Sequence, residues 1–206
     1  MRIVCLSDTH NLHDRIRVPE GDLLLHAGDA TNRGTEKEVS LFADWLAGLP
    51  HRHKVVVAGN HDFLFERQPV LARAHIHGAV YLEDEAVEIE GLRIWGSPWQ
   101  PEFLDWAFNL PRGAPLREKW DRIPQATDVL VTHGPPYGVL DRVDEGRQEG
   151  CAELLKAVGR VRPRLHLFGH IHEAYGLEVR DGTTFVNASI CDRACRPVNP
   201  PVVVDL

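Results

Sequence analysis

The amino-acid sequence predicts an α/β fold in which two β-sheets pack together with helices outside. Three observations carry that reading. Six short apolar runs recur, RIVCL, DLLLH, KVVVA, LRIWG, DVLVT and LHLFG. They lack the polar alternation of a half-exposed sheet, so they read as strands buried on both faces. Helix-like segments lie between several of them, and two further stretches carry the signature of antiparallel hairpins. No repeat, low-complexity tract or linker interrupts the 206 residues, a length that suits one domain, residues 1–206, with a large core.

Taken in order, residues 2–6 and 22–26 give the first two strands. Residues 35–49, TEKEVSLFADWLAGL, place apolar residues at helical spacing, with Thr35 and Glu38 forming a capping box at the start. Residues 54–58 are the third strand. FLFERQPVLARAH is a weaker helix interrupted by Pro69. AVEIEGLRIWG reads as a hairpin with Gly91 at its bend, and its second arm is the fourth buried run. The run DVLVT, a second good helix at CAELLKAV and the run LHLFG follow. YGLEVRDGTTFVNAS closes the pattern as a hairpin with Asp181-Gly182 at its turn.

Composition narrows the function. Hydrophobic residues make up 43% and charged residues 26%, the balance of a soluble globular domain. With 23 basic and 30 acidic residues the formal charge is −7, which argues against long nucleic acid and anionic membrane as partners. A small phosphate substrate stays compatible, because bound divalent metals would reverse the local sign. MRIVCLSDTH runs straight into a strand without the pattern of a secretory signal, and no stretch approaches the ~20 apolar residues of a membrane span, so a cytoplasmic location is expected. Cys5 and Cys151 sit in apolar surroundings and read as packed thiols. Cys191 and Cys195 are spaced as a ligand pair, but no second pair completes a zinc site.

The chemistry lies just past the strands. RIVCLSDTH ends in Asp8 and His10, DLLLHAGDA in Asp29, KVVVAGNHD in Asn60 and His61, DVLVTHGPP in His133, and LHLFGHIHE in His170 and His172. Any one of these alone is an ordinary strand-end turn. Five together, at the edge where open α/β sheets bind ligands, form a metal-ligand constellation. Glycines before Asp29, Asn60 and His170 are expected to permit tight turns. In extended chain, residues two apart point to one side, so Asp8 with His10, and His170 with His172, are expected to converge. Adjacent Asn60 and His61 diverge, leaving one free for substrate. Seven candidates (Asp8, His10, Asp29, Asn60, His133, His170 and His172) are too many for one zinc but suit two divalent ions. Oxygen and nitrogen donors without thiolate suit Mn, Fe, Co or Zn better than Cu(I) or Ca. Two such ions a few ångström apart commonly serve phosphate-ester hydrolysis. His13, His26, His51, His53, His75, His77 and His166 lie outside the constellation and read as packed or surface residues.

The blocks DTH, GDA, GNHD, THGPP and GHIH resemble the five signature blocks of the calcineurin-like metallophosphoesterases and extend over residues 8–172. GSPWQPEFLDWAFNLPRG, FGHIHEAYG and VNASICDRACRPVNPPVVVDL further resemble the metallophosphoesterase-domain-containing subgroup, which is phosphodiesterase-like. The resemblance implies a four-layer α/β-β/α sandwich of two mixed sheets flanked by helices. It implies two divalent metals, Mn first, with Fe, Co, Zn or Mg as alternatives. Asp8, His10, Asp29 and His172 would hold one, and Asp29 would bridge to the second, completed by Asn60, His133 and His170. His61 would be the unligated histidine near the scissile bond, oriented by Asp62. A metal-bridging hydroxide would attack phosphorus, and His61 would protonate the leaving oxygen.

Substrate choice is expected in the long segment after LRIWG, SPWQPEFLDWAFNLPRG. Trp99 is the candidate for stacking on a base, Arg112 for pairing with phosphate, and Asn60 and Asn109 for further substrate contacts. Trp106 and Phe108 read as packing residues, while Asn187 and Ser189 are placed facing the pocket. The expected substrate is a small phosphodiester, cyclic nucleotides included. The alternatives are a phosphomonoesterase, or a nucleotide-binding or scaffold protein with little turnover. Oligomeric state stays open.

Overall fold

The computed structural model describes all residues, 1–206. Its strands and helices in chain order are β1 (Arg2–Leu6), β2 (Leu23–His26), α1 (Glu36–Gly48), β3 (His53–Val56), α2 (Phe63–Arg67), α3 (Pro69–His75), β4 (Val80–Tyr81), β5 (Glu85–Ile89), β6 (Leu92–Ser97), β7 (Gln100–Pro101), β8 (Asn109–Leu110), α4 (Ala114–Trp120), β9 (Val129–Thr132), α5 (Ala152–Val161), β10 (Leu165–Phe168), β11 (Gly176–Arg180), β12 (Thr183–Asn187) and β13 (Val202–Asp205). One sheet runs β13-β1-β2-β3-β4 and the other β11-β12-β10-β9-β6-β5, while β7 and β8 form a short parallel ladder. Both large sheets are parallel at the centre and gain antiparallel strands outside: β13 on β1, β11 on β12, and β5 on β6.

Alternation along each strand builds the layers. Ile3, Cys5, Leu23, Leu25 and Val55 of the first sheet meet Ile94, Val129, Val131, Leu165, Leu167 and Val186 of the second, forming one core between the sheets. Val4, Leu6, Leu24 and Val56 point the other way, onto Val39, Phe42 and Leu46 of α1 and onto Leu64, Phe65 and Ala72 of α2 and α3. Trp95, Leu130, Phe168 and Phe185 pack outward against α4 and α5. The result is a four-layer α/β-β/α sandwich, as the sequence predicts. Leu25 and Leu167 are fully buried in the central core, and truncating either to alanine costs about 2–5 kcal/mol.

The local predictions resolve in detail. All six apolar runs are strands. Thr35 and Glu38 form the reciprocal capping box. Pro69 divides one predicted helix into two and sits at the first position of α3, where a missing N–H costs little. Both hairpins turn through two left-handed residues, Glu90-Gly91 (φ 48 and 82) and Asp181-Gly182 (φ 52 and 85), the geometry that matches strand twist. The sequence reading missed β4, α4 and β13. The segment 97–113, expected to be irregular, contains β7 and β8.

The two sheets join at one end. Ser7 N–H donates to the Ala188 carbonyl at 3.0 Å, and Ile190 N–H donates to the Ser7 carbonyl at 2.9 Å, so the chain after β1 pairs with the chain after β12. That seam brings the C-terminal ends of β1, β2, β3, β9 and β10 to a single edge.

Candidate metal centre

At this edge the predicted ligands come together from distant parts of the chain. Asp8, His10 and His172 each offer a donor atom within 4.8 Å of the others, and so do Asp8, Asp29 and His133. Asp8 Oδ1 lies 3.3 Å from His172 Nε2, and His172 Nε2 lies 3.4 Å from His10 Nε2. Asp29 Oδ2 lies between the two groups, 3.9 Å from His10 Nε2 and 3.4 Å from His133 Nε2. Asn60 Oδ1 is 2.9 Å from His133 Nε2, and the His170 ring meets the His133 ring edge-on at 5.0 Å. His61 stands at the margin with Nε2 4.0 Å from Asp29 Oδ2.

Three imidazoles are aimed by carbonyls behind them. Nδ1 of His133 lies 2.9 Å from the Ala27 carbonyl, that of His172 3.0 Å from the Asp192 carbonyl, and that of His61 2.9 Å from the Asn32 carbonyl. A carbonyl only accepts, so each Nδ1 carries a hydrogen and each Nε2 is the ring nitrogen that faces the site. The carboxylates are fixed the same way. Asp8 Oδ2 accepts from His170 N–H at 3.0 Å and stands 2.8 Å from the Ser189 hydroxyl, leaving Oδ1 for the site. Asp29 Oδ1 accepts from His61 N–H at 2.8 Å, leaving Oδ2. Two further histidines buttress the strand ends: His26 Nε2 lies 3.1 Å from the Thr9 hydroxyl and His166 Nε2 2.9 Å from the Thr132 hydroxyl.

Burial works against ionisation of Asp8 and Asp29, yet the imidazoles around them overcome it. His172 with His133 and His10 holds Asp8 well below the usual carboxylate range, and His133 chiefly lowers Asp29. Burial depresses the histidines in turn, but Asp29 lifts His133 to about 9 and Asp8 lifts His172 to about 9. His10 is held down by burial, and His170 falls to about 3 through burial and the charge of His133.

These residues fit divalent cations. The donors are oxygen and nitrogen without thiolate. His10 Nδ1 is buried without a hydrogen-bond partner, which leaves that ring to serve through Nε2. Asp8, His10, Asp29 and His170 all hold left-handed backbone, with φ of 54, 43, 53 and 69, a strain that clusters at functional sites. This corrects the extended-chain argument: Asp8 and His10 converge because the chain coils, and His172 sits in a 3-10 turn, His172–Ala174. Only one of the three glycines serves its expected purpose. Gly28 has φ +100, whereas Gly59 and Gly169 are needed because a Cβ would collide with Asp29 Oδ1 and Asp8 Oδ2.

Several predicted roles change. Asp62 does not reach the His61 imidazole. Its carboxylate accepts from the N–H groups of Gly59 and Thr31, at 2.8 and 3.0 Å, and from the Thr31 hydroxyl at 2.7 Å, tying the loop after β3 to the loop after β2. Burial and the charge of Asp29 raise it to about 6. Trp99 is not available to a base: its Nε1 donates to Asp84 at 3.2 Å, Lys119 Nζ covers its face at 3.9 Å, and Phe108 packs edge-on against it. Asn109 spends its amide on the carbonyls of Phe103 and Leu104. Asn187 and Ser189 are buried beneath Asp8 and support it instead of facing a pocket. Arg112 does line a cavity of about 430 Å³ that opens beside His170, with Phe103, Arg147 and Arg193. Its guanidinium donates to the carbonyls of Gly150 and Glu149. Trp106, read as packing, lies on His61 instead, with ring centroids 4.1 Å apart. No helix is long and apolar enough to cross a membrane.

Known proteins resemble this chain in sequence and fold. The family model described as calcineurin-like phosphoesterase matches residues 1–174. Metallophosphoesterase domain-containing protein 1 of Homo sapiens is 47% identical over 230 residues, covering all of this chain and 71% of its own length. A probable glycerophosphodiester phosphodiesterase GpdQ of Arcobacter nitrofigilis is 28% identical, covering 95% of this chain and 70% of its own. A solved crystal structure superposes with a TM-score of 0.70 at 16% identity, over 90% of this chain and 89% of that one, and so shares the fold. With the ligand-bearing edge intact and the family model spanning most of its length, this chain belongs to the calcineurin-like phosphoesterases, a family of metal-dependent phosphoester hydrolases.

Proposed function

We propose that this chain hydrolyses phosphodiester bonds of small nucleotides, cyclic ones included, at a two-metal centre held by Asp8, His10, Asp29, Asn60, His133, His170 and His172. The observation that carries the reading is the position of Asp29 Oδ2 between the His10 and His133 nitrogens, where one carboxylate oxygen can serve two ions. Two divalent cations there, manganese first among Mn, Fe, Co, Zn and Mg, would supply Lewis acidity toward the phosphoryl oxygens and raise the acidity of water.

The protein's own groups do the rest. The carbonyl-anchored imidazoles and hydrogen-bonded carboxylates keep the donors fixed, so little reorganisation accompanies reaction. His61, its Nδ1 held by Asn32, directs Nε2 toward the site and gives a proton to the leaving oxygen. The 430 Å³ cavity beside His170 leaves room for the second ester group, which supports diester over monoester. Its exposed aromatic is Phe103, which takes the base-stacking role in place of Trp99, and Arg112 meets the non-reacting part of the substrate. We take residues 1–206 as one functional domain, a reading that the core shared between the two sheets supports.

The test is hydrolysis by metal-stripped protein resupplied with Mn²⁺, on bis(p-nitrophenyl) phosphate and p-nitrophenyl phosphate. Metal-dependent cleavage of the diester well above the monoester is expected, and on a diester with an alkoxide leaving group, such as a nucleoside cyclic phosphate, His61→Ala should keep both metals while losing about 10²–10⁴-fold in rate. Preference for the monoester would make the protein a phosphatase. Two bound metals with no turnover of either ester would make it a nucleotide-binding protein.

A further inference from the structure

Of the five tryptophans, Trp45, Trp95, Trp99 and Trp120 lie in or against the helix-to-sheet cores. Trp106 belongs to none of the three cores, and its indole makes no hydrogen bond within the chain. Its ring lies over the imidazole of His61 at 4.1 Å with a 35° tilt, and Phe63 backs it at 5.8 Å. The chain beside it is fastened at two points, one on the ligand loop and one on α2. Ala107 N–H donates to the Asn60 carbonyl at 3.1 Å, and Phe108 N–H to Glu66 Oε1 at 2.7 Å. The edge of His10 closes on His61 from another direction, with centroids 4.8 Å apart and planes at 84°. A single hydrogen bond, from Nδ1 to Asn32, leaves an imidazole free to swing about it. Trp106 removes that freedom.

We infer that Trp106 is a positioning residue for His61, fixing the imidazole plane so that Nε2 stays directed at the leaving oxygen. This rests on the reading of His61 as proton donor. In that step water loses a proton to solvent as its oxygen adds to phosphorus, and the bond from phosphorus to the leaving oxygen breaks. His61, reprotonated from solvent between turnovers, passes the Nε2 proton of its imidazolium to the leaving oxygen. An alkoxide needs that proton and a nitrophenolate does not, so misplacing the donor harms one class of ester and spares the other.

The experiment compares wild type, Trp106→Ala, Trp106→Phe and His61→Ala on bis(p-nitrophenyl) phosphate and on a nucleoside cyclic phosphate, whose leaving group is an alkoxide. Trp106→Ala should cut kcat on the alkoxide ester by about tenfold to a hundredfold, with KM and nitrophenyl turnover changed little. Trp106→Phe should restore most of the loss, and His61→Ala should repeat the pattern more strongly. An equal fall on both esters, or none on the alkoxide ester, overturns the inference. A second readout needs no turnover. In zinc-loaded protein the indole ring current should displace the His61 ring-proton resonances, and Trp106→Ala should release them. Resonances that do not move overturn the inference, whereas a wild type inert on both esters overturns the phosphoesterase reading on which it rests.

Discussion

Around the strand ends, donor atoms face one another: Asp8 Oδ1, Asp29 Oδ2 and the Nε2 atoms of His10, His133 and His172 approach to between 3.3 and 3.9 Å. In the segment 97–112 the polar groups close on the protein itself, Trp99 on Asp84, Asn109 on Phe103 and Leu104, and Arg112 on Gly150 and Glu149. Both regions carry residues that chemistry could use. The difference is that the first turns its donor atoms on one another at a buried edge where the backbone is left-handed at Asp8, His10, Asp29 and His170, while the second commits nearly all of its hydrogen bonds to architecture. A buried polar group aimed at another of the same kind is evidence for an absent third party; a satisfied one is evidence for a scaffold.

The largest effect should come from breaking the first region at its centre. Asp29→Asn removes the charge that His10 and His133 share, so metal content, measured by elemental analysis, should fall below two per chain. Hydrolysis should drop on the order of a thousandfold, the scale of the metal contribution to charge stabilisation. Two ions retained would show that Asp29 does not bridge.

One step outward, Ser189→Ala takes the hydroxyl from Asp8 Oδ2 and leaves only His170 N–H on that oxygen. Groups that hold a ligand in this way are worth about 10–100-fold in metal affinity. A chelator competition titration should show a loss of that size, with maximal rate at saturating metal nearly unchanged. An unchanged affinity would return Ser189 to ordinary packing.

Much of this contrast was legible in the sequence for one region and not for the other. The strand runs, the capping box and the turn at Asp181-Gly182 are local patterns, and local physics determined them. The ligand residues were legible because each follows a strand, so a one-dimensional pattern stood in for a three-dimensional edge. Extended-chain spacing does not account for their convergence: left-handed φ at Asp8 and His10 produces it, and spacing alone does not encode that. Trp99, Trp106 and Asn109 could not be sorted, since an indole over Asp84 and Lys119 and an indole over His61 look alike in sequence. Asp62 invited assignment to its neighbour His61, whereas its partners are backbone groups of another loop.

Protonation sharpens the comparison further. In metal-free protein, His133 and His172 are raised from 6.5 to about 9. Their contribution to stability is therefore complete below pH 6.5 and is lost as pH rises through about 9. His26, His166 and His170 are lowered to about 3, so as pH falls below 6.5 the unfolded chain takes up protons that the folded chain refuses, and stability falls. Asp62, raised to about 6, opposes that acid limb only in part. The melting temperature of stripped protein should thus peak near pH 6.5. Metal needs Nε2 unprotonated, so the gap between loaded and stripped protein should widen from pH 6.5 to 9. A gap independent of pH would mean that His133 and His172 are not the donors.

The smallest effect tests the scaffold side. Asn109 donates to Phe103 and Leu104 at 3.2 and 3.0 Å, and Leu104 holds left-handed backbone at φ 53. The amide thus secures the turn that presents Phe103 to the cavity beside His170. Asn109→Ala removes two neutral hydrogen bonds from a half-buried site, a loss of about 1–2 kcal/mol that lowers the melting temperature by about 2–8 °C. Turnover of p-nitrophenyl esters, which do not need a shaped base site, should stay within about twofold, because none of the metal donors leans on this turn. KM for a nucleotide should rise more than its kcat falls, since only the mouth of the cavity loosens. A fall in kcat on the small ester with an unchanged melting temperature would mean that Asn109 reaches the reacting phosphate after all, and the division between a ligand edge with open donors and a segment of closed ones would then run through the loop and not beside it.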